Sequence, residues 1–170
     1  LAVQVGLDCE LVDDVYISTD SKEYEEIALN AGAKSFGLRP SYLASDTAKT
    51  IDVVIDMIGR SEIEYDYILL LQPTSPIREP NDIINMINLI EGKDADASVS
   101  LYKLEEPHPN KLKALDQKSG YVKPFLEGSS SERPRQGLPE VFALNGALYL
   151  IKTSTLINKK TFLPVNTIPY

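Results

Sequence analysis

The chain has 170 residues, of which 43% are hydrophobic, and this size and composition predict one globular domain with an apolar core. Its net charge of -8 leaves no basic surface to neutralise nucleic-acid phosphates, which excludes a general nucleic-acid-binding protein. No apolar stretch reaches the about 18 residues of a membrane-spanning helix, and the single cysteine, Cys9, excludes an internal disulfide and fits a reducing cytoplasm.

The first 104 residues alternate between strand and helix patterns. Short β-branched and aromatic runs indicate strands, whereas apolar residues at helical spacing between capping residues and glycines indicate helices. The predicted order is helix end, strand, helix, helix, strand, helix, strand, at residues 1–12, 15–18, 22–32, 51–58, 65–72, 79–92 and 95–104. Ser45, Asp46 or Thr47 is expected to cap the second complete helix. This order predicts right-handed βαβ crossovers and a three-layer α/β fold with a mostly parallel sheet, in which the apolar strand 65–72 is central.

The pattern changes after Leu104. Residues 105–140 are polar, rich in proline, serine and glycine, and carry only short strand-like pieces at 111–115 and 121–125. A stretch of this length in a compact domain is usually functional or interfacial. A strand at 141–152 and a short helix at 153–160 follow, and because no linker divides the chain we expect a single domain over residues 1–170.

The loop QPTSPIR, residues 72–78, follows the most apolar strand. Ligands of open α/β sheets bind beyond the carboxyl ends of the strands, so this loop is a candidate binding site. Its two prolines fix the backbone and hold the Gln72 amide and the hydroxyls of Thr74 and Ser75, which suits a polyhydroxylated ligand. The alternative is a turn in which both hydroxyls satisfy only local backbone groups.

Other polar residues are candidates for the same site. Asn145-Gly146 is either a hairpin turn or a ligand-facing amide beside a glycine that allows close backbone approach. The only histidine, His108, stands between two prolines with no nucleophile beside it, and we predict that it orders its loop. The basic loop residues that could bind phosphate or carboxylate are Arg39, Lys111, Arg133 and Arg135.

Five segments together resemble the CMP-sialic acid synthetases, the acylneuraminate cytidylyltransferases. They are STDSKEYEEIALNAGA, LRPSYLASDTAKTIDVV, LLLQPTSPIR, RPRQGLPEVFALNGALYL and IPY, and RPxxLASDTA and LLQPTSPxR are the most specific motifs. The resemblance implies a Rossmann-like nucleotide-diphospho-sugar transferase fold. It also implies that the anomeric hydroxyl of a nonulosonic acid attacks the α-phosphate of CTP, giving the CMP-sugar and pyrophosphate, with Mg²⁺ as cofactor.

The resemblance also implies roles for individual residues. Arg39 and Thr50 are implied to lie by the nucleotide. The residues implied to line the sugar site are Gln72, Lys111, Arg135, Asn145 and Tyr149. The stretch from about 105 to 140 is implied to be a dimerisation arm that reaches over the partner's active site, so the expected assembly is a cytoplasmic homodimer without nucleic-acid or membrane partners.

The sequence departs from the family in three places. It lacks the PARxGSKxxxxKN loop that holds the triphosphate and the DIDT segment whose aspartates bind the metal, so we expect a fragment whose catalytic residues and metal ligands lie outside it. Ala143 stands where sialate-specific members often carry arginine. This leaves legionaminic or pseudaminic acid open as the substrate. The further alternatives are the same chemistry on 3-deoxy-octulosonic acid and, in another class, a non-catalytic sugar-nucleotide-binding homologue.

Overall fold

The protein is described by a computed structural model that covers every residue from Leu1 to Tyr170 except for the side chain of Arg135. The chain divides into two compact units. The sheet unit comprises Leu1–Ser100 and Asn145–Tyr170, and the insert unit comprises Leu101–Leu144. The insert unit includes the polar stretch of residues 105–140.

The helices and strands follow the predicted order closely. The helices are α1 (Ala2–Leu7), α2 (Lys22–Asn30), α3 (Thr50–Arg60), α4 (Pro80–Lys93) and α5 (Thr153–Lys159). The strands are β1 (Tyr67–Leu71), β2 (Ala97–Lys103), β3 (Lys113–Leu115), β4 (Val122–Pro124), β5 (Phe142–Lys152) and β6 (Thr167–Pro169). Short 3₁₀ turns lie at Ser41–Leu43, Pro109–Lys111 and Arg135–Gly137.

The central sheet of the described chain has the strand order β1-β5-β2-β6. β1 and β5 pair antiparallel, with Tyr67 opposite Lys152 and Leu71 opposite Leu148. β2 and β6 pair parallel, with Ala97 opposite Thr167. The sheet is therefore mixed. β1, which the sequence predicts to be a central parallel strand, instead stands at one end of the described strand order and pairs antiparallel with β5.

Hydrophobic side chains cover both faces of this sheet. On one face, Ile83, Met86 and Ile90 of α4 are fully buried against β5 residues that include Leu150. Their spacing of three and four residues places them on one side of the helix. On the other face, α3 and α5 pack around Ile151, because successive residues of a strand point to opposite faces. Helices thus lie on both faces, and the predicted three-layer α/β class is confirmed.

Two local predictions are wrong. The segment at 15–18 forms no strand. Its backbone hydrogen bonds join Val15 and Ile17 to the single residue Lys34, so Tyr16 makes only an isolated parallel bridge with Lys34. The predicted caps at residues 45–47 do not begin a helix either. These residues form a turn, and α3 begins at Thr50 with Lys49 before it and no side-chain cap.

The insert unit contains a two-stranded antiparallel ribbon. β3 and β4 pair through Lys113 opposite Pro124 and Leu115 opposite Val122. A turn joins the two strands. In this turn the Asp116 side chain accepts hydrogen bonds from the backbone N–H groups of Lys118 and Ser119, and these bonds hold the pKa of Asp116 below its ordinary value. The short strands predicted at 111–115 and 121–125 are thus confirmed as one hairpin.

The longest helix, α4, has 14 residues. Among the residues that the structure describes, none of the helices combines the length and the hydrophobicity that crossing a bilayer requires.

Candidate functional site

The QPTSPIR loop, residues 72–78, continues from β1 alongside β5. The last backbone pair of the two strands is Leu71 with Leu148. The prolines of the loop have no N–H groups, so side chains donate to β5 in their place. The Ser75 Oγ donates to the Asn145 carbonyl at 3.0 Å, and the Arg78 Nη1 donates to the Ala147 carbonyl at 2.6 Å. Two side chains therefore fasten the loop to β5, and Ser75 satisfies a backbone group 70 residues away rather than a local one.

Gly146 lies in β5 next to Gln72 and Ser75 of the loop. Its φ is +74°, and a Cβ atom at this position would stand 3.0 Å from the Gln72 Oε1 and 3.3 Å from the Ser75 Oγ. Only glycine accepts both the conformation and the contact without strain. Gly146 and Asn145 lie inside β5, so the hairpin alternative is wrong. The atoms that approach Gly146 are the side-chain oxygens of Gln72 and Ser75.

The side-chain amide of Asn145 has a defined orientation. Its Oδ1 accepts a hydrogen bond from the Ser100 Oγ at 2.6 Å and another from the Ala147 N–H at 2.9 Å. A backbone N–H can only donate, so the amide atom that faces it must be the oxygen. Asn145 is an exposed residue, and its Nδ2 keeps two N–H groups for other partners. Its ligand-facing role stays a prediction that this orientation suits.

Arg78 is the residue of this loop that sequence reasoning did not select as a site residue. Its side chain is only 7% exposed, and burial lowers the pKa of its guanidinium. Within the described chain, its Nε and Nη2 atoms have no hydrogen-bond partner, and its Nη1 holds the Ala147 carbonyl. Arginine is rarely buried without a carboxylate partner. A lone arginine directly after a proline-stiffened bend was the available sequence signal.

The two predicted nucleotide residues lie in the sheet unit. Arg39 is half-buried, and its Nε and Nη2 donate to the Oγ and the carbonyl of Ser18 at 3.1 and 2.5 Å. Its backbone N–H donates to the Thr19 carbonyl at 2.8 Å. These bonds hold the guanidinium beside the residues that follow the Tyr16 bridge. Thr50 is exposed at the first position of α3. Their nucleotide contacts stay predictions.

Tyr149 lies on β5, four residues beyond Asn145. It is half-buried opposite Leu70, and its ring is tilted against Phe162 with 5.9 Å between the ring centroids. Of the predicted sugar residues, the structure brings Gln72 directly against the Asn145-Gly146 segment. The contact described for the Tyr149 ring is with Phe162, so its place in the sugar site stays a prediction.

The other two predicted sugar residues belong to the insert unit. The Lys111 Nζ donates to the carbonyls of Ser131 and Arg133, the second at 3.0 Å. It therefore holds the segment that precedes Arg135, whose side chain lies outside the described part of the chain. His108 accepts from the Asn110 N–H through Nδ1 and bonds the Pro139 carbonyl through Nε2, each at 3.1 Å. The prediction that His108 orders its loop is confirmed.

The described side chains contain no group of three or more histidines, cysteines, aspartates and glutamates that could hold a metal ion. The arrangement at the end of β1 is instead a neutral surface of two amides around a glycine. Such a surface can bind and orient a polar ligand by hydrogen bonds.

Comparison with known proteins places the chain among nucleotidyltransferases. Residues 1–135 match the cytidylyltransferase family. The chain is 31% identical over 176 residues to the CMP-N,N'-diacetyllegionaminic acid synthase of Legionella pneumophila, covering 98% of this chain and 72% of that protein. It is also 31% identical over 157 residues to the N-acylneuraminate cytidylyltransferase of Streptococcus agalactiae, covering 92% of this chain but only 37% of the relative.

A solved structure supports the fold. The CMP:2-keto-3-deoxy-manno-octonic acid synthetase, solved in complex with CTP, superposes with a TM-score of 0.63 at 16% sequence identity, covering 93% of this chain and 64% of that one. At this identity the likeness shows the fold alone, and it confirms the nucleotidyltransferase fold predicted from the sequence. Together with the family match and the sequence relatives, it confirms the resemblance to CMP-sialic acid synthetases. The chain belongs to the cytidylyltransferase family.

Proposed function

We propose that the protein containing this chain is a CTP-dependent cytidylyltransferase that activates a nonulosonic acid. The observation that carries the proposal is the family match over residues 1–135, together with one relative named as a CMP-N,N'-diacetyllegionaminic acid synthase and another named as an N-acylneuraminate cytidylyltransferase. The site geometry agrees with a sugar ligand, because Gln72 and Asn145 place two amides beside one glycine at the end of β1.

In the proposed reaction the anomeric hydroxyl oxygen of the sugar acid attacks the α-phosphorus of CTP. A bond forms between that oxygen and phosphorus, the bond from phosphorus to the bridging oxygen of the β-phosphate breaks, and pyrophosphate leaves. The hydroxyl proton passes to a base that we do not assign to any residue of this chain. The contribution of Gln72 and Asn145 is to orient the sugar acid, since holding two reactants in position lowers the entropic part of the barrier.

The nucleotide side of the site is proposed to involve Arg39 and Thr50. Bonds to Ser18 hold the Arg39 guanidinium in place, which suits a fixed contact with a nucleotide. We propose Mg²⁺ as the cofactor because the triphosphate needs its negative charge neutralised during transfer. The described residues do not fit a protein-held metal, since they include no cluster of suitable ligands. No step that we assign to this chain depends on the ion.

The sugar acid is proposed to be a nine-carbon nonulosonic acid, either sialic or legionaminic. Ala143 offers no cation at the position where sialate-specific members often have arginine, which favours the legionaminic type. The relative from Legionella, which this chain matches over 98% of its own length, points the same way. Pseudaminic and 3-deoxy-octulosonic acids are the further substrates to be compared.

We propose a cytoplasmic homodimer whose contact includes the β3–β4 ribbon of the insert unit. Tyr121 and Phe125 are 77% and 62% exposed, and Leu115 and Val122 are exposed with them. Exposed aromatic and aliphatic side chains in one short ribbon are typical of a protein–protein interface. The cytoplasmic location rests on the single buried Cys9, which leaves no disulfide within the chain.

The test is pyrophosphate release by the complete protein with CTP, Mg²⁺ and each of four sugar acids: N-acetylneuraminic, legionaminic, pseudaminic and 3-deoxy-octulosonic acid. We expect release with at least one nine-carbon acid and none when ATP replaces CTP or the sugar is omitted. Binding of CTP and a sugar acid without any release would favour the non-catalytic homologue and contradict the proposed enzyme.

A further inference from the structure

We propose that Ser100 is a positioning residue that fixes the Asn145 amide with its NH₂ group toward the ligand. This inference rests on the proposed function, because it concerns how that site recognises the sugar acid. Ser100 lies on β2 and is 5% exposed, so it cannot meet a ligand itself. Its effect on the reaction must pass through Asn145.

The Ser100 hydroxyl links two neighbouring groups of β5. It accepts a hydrogen bond from the Leu148 N–H at 2.9 Å and lies 2.6 Å from the Asn145 Oδ1, to which it donates. Its oxygen also lies 3.3 Å from the Leu148 carbonyl, a longer and weaker alternative for its single proton. The shorter bond to the Asn145 Oδ1 is therefore the preferred one.

The amide oxygen of Asn145 is thereby fully occupied. It accepts from the Ser100 hydroxyl and from the Ala147 N–H, and an amide oxygen has two lone pairs. Asn145 therefore presents donors only, and its two Nδ2 hydrogens select an acceptor atom. A carboxylate oxygen of the sugar acid is such an acceptor, and a hydrogen bond to an ionised group is stronger than one to a neutral group. Ser100 thus contributes to the preference for an acid over a neutral sugar.

Ser98 provides a matched control on the same strand. It lies two residues before Ser100, is 1% exposed, and its Oγ has no hydrogen-bond partner within the described chain. Ser98→Ala and Ser100→Ala remove the same atom from equally buried positions of β2. Only the second change removes a bond to Asn145.

The kinetic test is a double-mutant cycle in the complete protein. We expect Ser100→Ala to raise the KM for the sugar acid about tenfold, which corresponds to one displaced charge-assisted hydrogen bond, and to leave the KM for CTP unchanged. Ser98→Ala should leave both constants unchanged. In an Asn145→Ala background, Ser100→Ala should have no further effect on the sugar KM. Additive effects in that background, or equal effects of the two serine changes, would overturn the proposal.

A second measurement does not need turnover. The side-chain NH₂ resonances of Asn145, assigned by their loss in Asn145→Ala, should shift in a ¹H–¹⁵N spectrum of Ser100→Ala and stay unchanged in Ser98→Ala. An unshifted Asn145 signal in Ser100→Ala would contradict the positioning role whether or not the protein is active. Absence of pyrophosphate release together with the expected shift would instead reject the proposed function and leave the positioning of the amide established.

Discussion

Substitution of Gly146 by alanine tests the contact between the QPTSPIR loop and β5. The new Cβ would be placed at φ +74°, 3.0 Å from the Gln72 Oε1 and 3.3 Å from the Ser75 Oγ. The left-handed conformation costs a non-glycine residue about 1–2 kcal/mol. Relief of the two short contacts adds on the order of 1 kcal/mol, the lower end of the cost of overpacking. We therefore expect Gly146→Ala to lower the free energy of unfolding by about 2–3 kcal/mol.

Gly120→Ala separates the two contributions. Gly120 has a φ of +75°, and a Cβ there would meet nothing within 4 Å. The free energy of unfolding of Gly120→Ala should therefore fall only by the about 1–2 kcal/mol that the left-handed backbone conformation costs. Urea unfolding of both variants gives the difference, which measures the contact with Gln72 and Ser75.

The functional consequence follows from the displacement of Gln72. We propose that Gln72 orients the sugar acid. A shift of a few tenths of an ångström in its side chain should therefore raise the sugar KM or lower kcat by on the order of tenfold in Gly146→Ala, since a displacement of about 1 Å can cost a hundredfold. Gly120→Ala should leave the sugar kinetics unchanged, because no side chain is displaced there. Equal losses of stability in the two variants, together with unchanged sugar kinetics in Gly146→Ala, would refute the reasoning.

Two further predictions concern acid sensitivity and assembly. The hydrogen bond from Lys34 lowers the pKa of Asp14. The Asp14 carboxylate therefore stabilises the fold at pH values above its unfolded pKa of about 4, and this stabilisation is lost as the pH falls through its folded pKa. Asp14→Asn should therefore narrow the difference in stability between pH 7 and pH 3, and an unchanged difference in urea unfolding would contradict the assignment. The double change Tyr121→Ser and Phe125→Ser should yield a monomer in sedimentation velocity. The control Tyr24→Ser, at a 62% exposed position of α2, should leave the dimer intact. A dimer in the double variant as well as in the control would exclude the ribbon as the contact.

The sequence predicts those parts of the fold that depend on local periodicity. The apolar residues of α4 recur at helical spacing, and its predicted limits at 79–92 agree with Pro80–Lys93 to within one residue. β1 is found inside the predicted 65–72 because five consecutive apolar or aromatic residues leave little other choice. The segment at 15–18 has the same local character, but a strand also needs long partners, and in the described chain its bridge reaches only Lys34.

The site was only partly predictable for a related reason. Gln72 and Asn145 belong to recognisable motifs, so their proximity agrees with the resemblance. The burial of Arg78 depends on a carbonyl 69 residues away, and the bond from Ser100 depends on a partner 45 residues away. Residue pattern carries no information about such distant partners when only one sequence is considered. Ser100 in particular resembles any other serine of a buried strand until its neighbours are known.

The way in which the QPTSPIR loop is fastened has a consequence for protein engineering. Because side chains of Ser75 and Arg78, rather than a continued backbone ladder, hold the loop to β5, its conformation depends on two replaceable groups. The sheet hydrogen bonds end at Leu71 and are independent of them. Libraries that vary Thr74 and Ile77, both exposed, can therefore reshape the rim of the proposed sugar site while the strands beneath keep their register.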